Sequence, residues 1–168
     1  MVDIQTVSIA IASASVVAGV LYYTFQIRHQ NKMRQTDLVM KLYSAFGSKE
    51  FLKTWEDVVK REARDYDDYV KRYGWTDVLE IGLFFEGIGI LLHRKLISIE
   101  LVDDLFSDPI NMTWKRMKDF TLEARKIRNT PSIFEWFEYL YNEMQKSEGL
   151  TVVHSEGHIN IVEACPEQ

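Results

Sequence analysis

The sequence predicts an all-α protein: one N-terminal transmembrane helix running on into a bundle of about five further helices, with a small β-hairpin as a candidate C-terminal ending. Three observations carry that expectation. Between Asp3 and Arg28, the 24 residues Ile4 to Ile27 include no charged side chain. After them, apolar residues recur at helical spacing almost to the end of the chain. Three prolines and eight glycines in 168 residues leave long stretches free to be helical.

The uncharged run comes first. A helix rising 1.5 Å per residue needs roughly 20 apolar residues to cross a hydrocarbon core of about 30 Å. Ser8, Ser13, Ser15 and Thr24 dilute the stretch, but their hydroxyls can bond back to carbonyls of the preceding turn. Tyr22 and Tyr23 sit where amphipathic rings suit a membrane interface, and Arg28, Lys32 and Arg34 follow at once. Because Lys and Arg favour the cytoplasmic side, the expected topology is single-pass, with the N-terminus outside and the C-terminal body in the cytoplasm. A cleaved signal peptide is the main rival. Ala12-Ser13-Ala14 mimics a cleavage site, yet Met1 to Gln5 holds no basic residue and the apolar run continues far beyond Ala14. Ala10, Ala14 and Ala18 repeat every fourth residue, and Ser15 precedes Gly19 by four. That small-residue face would let a second membrane helix approach, from a protein partner or from another copy of the chain.

The chain divides into an anchor at 1–27, a cytosolic helical bundle at 28–148 and a tail at 149–168. The roughly 140 residues after the anchor suffice for one domain. Their composition is ordinary globular material, at 46% hydrophobic, 27% charged and 12% aromatic for the whole chain. A net charge of −5 speaks against nucleic acid as a partner. The basic residues after the anchor instead suit a lipid membrane with anionic headgroups. A single cysteine, Cys165, rules out a disulfide framework and a cysteine-based zinc site. Its setting, Cys165-Pro166-Glu167-Gln168, lacks the aliphatic pair of a prenylation box.

Each helix of the body has its own signal. Leu38, Leu42 and Ala45, with Val39, Tyr43 and Phe46, form one broad apolar face that extends the first helix to Gly47. Ser48 is placed to cap the next, where Phe51, Leu52, Trp55, Val58 and Val59 oppose Lys53, Glu56, Asp57 and Lys60. Tyr66, Tyr69, Val70 and Tyr73 repeat the pattern before Gly74. Val78 to Leu92 is apolar nearly all round, which predicts a helix in the middle of the domain. Gly82, Gly87 and Gly89 within it suggest close approach by neighbouring helices. Ser98 caps a short helix carrying Val102, Leu105 and Phe106, and Asp108-Pro109 signals a separate start for the next. There Ile110, Trp114, Met117, Phe120, Ala124 and Ile127 face inward, while Lys115, Arg116, Lys118 and Arg125 stay wet. Thr130-Pro131 opens the last helix, with Ser132 and Glu135 as an alternative capping box, and Gly149 closes it. Thr151 to His154 and His158 to Val162 flank Ser155-Glu156-Gly157 as the candidate hairpin.

Chemistry-bearing constellations are sparse. Asp65, Asp67 and Asp68 lack the glycine and the bidentate Glu of a calcium loop. His154, Glu156 and His158 could in principle gather a metal, with His29 and His93 as the only other histidines, but they lack the order a helical metal motif demands, so no metal ligand is assigned. Gly87-Ile88-Gly89 is no phosphate loop, no Gly-x-Ser-x-Gly elbow occurs, and nothing calls for a cofactor. No catalytic residue is assigned. Glu86 is the best candidate for a functional acid because its apolar helix could raise its pKa. A structural pair with Arg116 or Arg125 is the preferred account of it.

The junction RQTDLVMKLYSAF (Arg34 to Phe46), the segment FFEGIGILLHRKLISIELVDDLF (Phe84 to Phe106) and the closing FEWFEYLYNEM (Phe134 to Met144) follow the span in that order. Together they resemble an uncharacterised family of bacterial and archaeal membrane proteins described only as a domain of unknown function, over roughly residues 5 to 146. The resemblance implies one span and a helical cytosolic domain with the Phe-Glu-x-Ile-Gly helix at its centre. It carries over no activity and no site residue. Three functions remain open: a membrane-tethered interaction or scaffold module, which is preferred, an accessory subunit of a larger membrane complex, and a membrane-bound enzyme using Glu86.

Overall fold

The computed structural model describes residues 3–155, without the side chains of Thr6, Val7, Ala10 and residues 147–155. Its elements are α1 (Ile4–Phe46), α2 (Lys49–Lys60), α3 (Tyr66–Tyr73), α4 (Thr76–His93), α5 (Ile99–Ile127) and α6 (Glu135–Ser155). The all-α class and the five helices beyond the first are as the sequence predicts. Among the described residues there is no strand.

Helix α1 is 43 residues long, about 65 Å at the standard rise. The Asp3 side chain caps its start by accepting from the Gln5 N–H. Its two halves live in different surroundings. From Asp3 to Arg34 every described side chain is exposed, and burial begins only at Gln35 and Leu38. The second half docks on the bundle through Val39, fully buried, and Phe46. The Phe46 ring lies 5.4–6.2 Å from those of Phe51, Trp55, Phe84, Phe85 and Phe106. Edge and tilted contacts of that kind contribute beyond area burial.

Helix α4 is the centre, with Val78, Ile81, Phe85 and Ile88 at most 1% exposed. It packs chiefly on α6, which packs in turn on α5. A methyl at Gly82 would fall 2.2 Å from the Phe134 ring, and one at Gly89 would fall 2.0 Å from the Trp136 carbonyl oxygen. Close approach therefore accounts for two of the three α4 glycines. Gly87 has open space instead.

Side chains cap three further helix starts, Ser48 and Ser98 as the sequence predicts and Asp65 where the sequence reading assigned no cap. Ser48 accepts from Phe51 N–H, Asp65 from Asp68 N–H, and Ser98 from Leu101 N–H. Elsewhere the expected boundaries move. Asp108-Pro109 starts no new helix, since α5 runs through Pro109. Proline removes one ladder bond, but Phe106 and Ile110 on either side are fully buried and hold both halves on the same core. The Thr113 hydroxyl donates to the Pro109 carbonyl and accepts from Trp55 Nε1 at 2.7 Å.

At the other end, α6 starts at Glu135 rather than Thr130-Pro131, because Phe134 adopts φ 53° to reach Gly82. It does not stop at Gly149 but continues to Ser155. The predicted hairpin is corrected accordingly: Thr151 to His154 are helical, and its second arm at His158 to Val162 lies outside the described residues. An isolated two-stranded ribbon is marginal in water, whereas an existing helix adds a hydrogen bond with each residue.

Among the described residues, no helix is long and apolar enough to cross a membrane. The anchor expected at 1–27 gains no support from that measure. Three serines, two threonines, two glutamines and two tyrosines dilute the uncharged run.

Candidate functional site

Two features stand out from an otherwise ordinary bundle: the bare half of α1, and the junction where α4 receives the start of α6.

The bare half exposes large apolar residues in every direction. Ile9, Ile11, Val16, Val17, Val20, Leu21, Phe25 and Ile27 are each 54–68% exposed. At about 100° per residue, Ile11, Tyr22 and Phe25 fall on the side of the helix opposite Val16, Val20 and Ile27, so the exposed set is wider than one buried stripe. Four of its hydroxyls are satisfied internally. Ser8, Ser13, Ser15 and Thr24 donate to the carbonyls of Ile4, Ile9, Ile11 and Val20 at 2.8–2.9 Å. Those are the back-bonds expected from the sequence, and they leave none of these four hydroxyl protons needing water. On the small-residue face, Ala14 and Ala18 are exposed and a methyl at Gly19 would meet nothing within 4 Å. The side chain of Ala10 lies outside the described residues.

At the junction, Glu86 Oε2 accepts from the Phe137 N–H at 2.8 Å. The Trp136 N–H also bonds the carboxylate. The first N–H groups of a helix have no partner within it, so a carboxylate delivered from α4 serves as the cap that α6 lacks locally. Burial pushes the Glu86 carboxyl above its ordinary value. The two N–H bonds pull it back, Glu135 pushes up, and Arg125 pulls down more weakly.

The structural partner expected for Glu86 is therefore wrong in kind: backbone amides take the place of an arginine. Arg125 is not wet. Its side chain is 15% exposed, bonding Glu138 at 2.6 Å and the Ile133 carbonyl at 2.8 Å. Arg116 is half exposed and reaches only Glu62, at 3.9 Å. Arg125 falls four residues after Thr121 and eight after Met117, on the flank of the buried stripe, and that spacing was the readable signal.

Beside Glu86 opens a groove of about 330 Å³ lined by Trp75, Leu79, Leu83, Arg128 and Phe134 among others. Arg128 lies 4.3 Å over the Trp75 ring, and its Nε donates to the Tyr66 hydroxyl at 2.9 Å. Trp75 Nε1 donates to the same hydroxyl at 2.8 Å. This cluster, which the sequence reading missed, ties α3, α4 and the end of α5 together. It braces the fold.

Among the described residues, no group of three or more His, Cys, Asp or Glu side chains is placed to hold a metal. His154 is helical, while Glu156 and His158 lie outside the described residues. Asp68 is engaged by Arg64 and Arg72.

A family model described as a domain of unknown function, DUF4760, matches residues 9–144. The match begins inside the uncharged run and ends at Met144, the last buried residue described in α6. No curated protein and no solved structure matches the chain.

Proposed function

The chain belongs to the DUF4760 family, and we propose that it is a membrane-anchored helical interaction module. In this reading the uncharged half of α1 sits in the bilayer and the bundle is held at the cytoplasmic surface. The observation that carries it is the contrast within one helix, where every described side chain in a run of 24 uncharged residues is exposed while the rest of the helix docks on the bundle. Exposed apolar surface on that scale marks contact with a membrane or a partner.

Lipid is favoured over a single protein groove because the apolar residues surround the helix, whereas a groove needs one face. Read whole, the run is about 36 Å long against a hydrocarbon core of about 30 Å. The hydroxyls of Ser8, Ser13, Ser15 and Thr24, already bonded within the helix, reduce the desolvation cost that these side chains would otherwise carry. Tyr22, Tyr23, Arg28, Lys32 and Arg34 supply the interface anchors on the bundle side, and the cations orient that side to the cytoplasm.

The small-residue face with Ala10, Ala14 and Ala18 supports assembly within the membrane, with a second copy or with a larger complex. The Glu86 carboxylate serves as a helix cap, which leaves the bundle surface as the working part of the module.

Alkaline carbonate extraction with protease digestion of sealed cells tests the proposal. The chain should stay in the membrane pellet with a C-terminal tag protected. Release into the wash, or a tag cut from outside, would overturn it.

A further inference from the structure

The turn that joins α4 to α5 lies beside α1 just beyond the uncharged run. It is closed by two bonds, Lys95 N–H to the Leu92 carbonyl and Leu96 N–H to the Leu91 carbonyl, both 2.9 Å. This is the paired-bond helix ending whose pivotal residue adopts the left-handed conformation and is usually glycine, sometimes asparagine. The same ending closes α5, and there Asn129 fills the position at φ 49°. At the end of α4 the position belongs to Lys95, at φ 57°. A lysine gains nothing locally from that conformation, and backbone strain of this kind tends to mark functional positions.

Between this turn and α1 lies a notch of about 330 Å³, lined by Asn31, Arg34, Gln35, Leu38, Lys95 and Leu96. Arg34 stands on one wall and Lys95 on the other. Among the described residues neither has a carboxylate partner, nor do Arg28, Lys32 and Arg94 nearby in the chain. Leu96, at the tip of the turn, is half exposed. Two unpaired cations facing across a notch, with an aliphatic side chain at its lip, match the chemistry of an anionic lipid headgroup above its acyl chains.

We propose that the notch between α1 and the α4–α5 turn, with Arg34 and Lys95 on its walls, seats the phosphate of an anionic lipid from the membrane that holds α1. The proposal rests on the anchor reading above. The depth agrees: Arg34 stands seven residues past Ile27, about 10 Å along the helix, and the headgroup layer is roughly 5–8 Å thick. Long basic side chains bridge the remaining distance by reaching toward the interface. The bundle is thereby held upright against the membrane at a second point, and the strained Lys95 backbone places the ammonium group there.

The test is hydrogen exchange of the Lys95 and Leu96 amides in the full chain. The chain is reconstituted in nanodiscs of phosphatidylcholine alone or of phosphatidylcholine mixed with phosphatidylglycerol. Phosphatidylglycerol should slow exchange at both amides by about fivefold or more, the factor corresponding to one cation held at an anionic surface. Arg34→Gln with Lys95→Gln should abolish the difference, while Lys118→Gln, on an exposed part of α5, should preserve it. Equal exchange in both lipids, with the chain retained in the disc, would overturn this proposal and spare the anchor. A chain that leaves the disc would overturn the anchor reading itself. Equal protection by inorganic phosphate in detergent would replace the lipid with a free phosphate.

Discussion

Gly87 and Gly89 stand one residue apart on either side of Ile88, and the same methyl group should have opposite effects at the two sites. At Gly87 the new Cβ meets nothing within 4 Å, so only helix propensity acts, and alanine should stabilise by up to about 1 kcal/mol. At Gly89 the Cβ would lie 2.0 Å from the Trp136 carbonyl oxygen and 2.7 Å from its carbon, where ordinary contact starts at 3.4 Å. The start of α6 would have to retreat by roughly 1.4 Å, a large displacement in a close-packed interior. It is not free to do so. The Phe137 amide is held by Glu86 at 2.8 Å, and its ring stacks on Phe85 at 4.8 Å and abuts Trp114 at 5.0 Å. Overpacking of this kind costs about 1–3 kcal/mol, and a weakened cap adds about 1 kcal/mol, against a propensity gain of about 1 kcal/mol. Gly89→Ala should thus lose about 1–3 kcal/mol, and the two variants should differ by about 2–4 kcal/mol. For a chain of this size that separates their melting temperatures by roughly 5–15 °C. Near-ultraviolet circular dichroism of the full chain in detergent follows the aromatic core as it melts. A Gly89→Ala protein that melts at or above the parent, or a Gly87→Ala protein that falls with it, would refute the close α4–α6 packing.

Two further predictions follow from partly buried charged groups. Because burial raises the folded-state pKa of Glu86, the folded protein holds that proton more tightly than the unfolded chain. Its contribution to stability should therefore decline as pH rises from the ordinary carboxylate range, near 4.5, through the raised value. Glu86→Gln keeps an acceptor for Phe137 N–H and should remove that decline in urea titrations at stepped pH, whereas Glu86→Ala should lose about 1–2 kcal/mol at low pH and less as pH rises through the raised value. An unchanged pH profile in Glu86→Gln would contradict the assignment. For the Arg125–Glu138 pair, Arg125→Ala strands a carboxylate and leaves the Ile133 carbonyl without its donor, at about 2–3 kcal/mol given the partial exposure of Glu138. Adding Glu138→Leu to it should recover part of that loss; a fully additive double variant would show that the two groups are not coupled.

Much of this fold is legible in the chain because its helices carry local signals. Ser48 and Ser98 cap where their hydroxyls precede an apolar stripe, and the back-bonding of Ser8, Ser13, Ser15 and Thr24 follows from helix geometry alone. What stayed hidden depends on distant partners. Pro109 reads as a helix start because the local rule cannot see that Phe106 and Ile110 share a buried side. Pro131 reads the same way, yet α6 waits for Glu135 because Phe134 must first insert against Gly82, 52 positions earlier in the chain. Its cap comes from Glu86, 51 residues away, which no capping motif encodes. The Tyr66, Trp75 and Arg128 cluster is hidden for the same reason. Lys95 carries no local signal of its role, since its left-handed backbone and its nearness to Arg34 exist only once α1 lies beside the turn.

The membrane anchor is the central claim, and a cysteine accessibility scan along α1 tests it most directly. With Cys165 replaced by serine, single cysteines placed through the uncharged run and past Arg34 would be challenged with a water-soluble maleimide in sealed vesicles. The account predicts an unbroken protected block within Ile4 to Ile27, on every face of the helix, with labelling resuming beyond Arg28. Protection that instead repeats every three or four residues would mean that α1 lies along a protein or a membrane surface on one face, and would contradict the account.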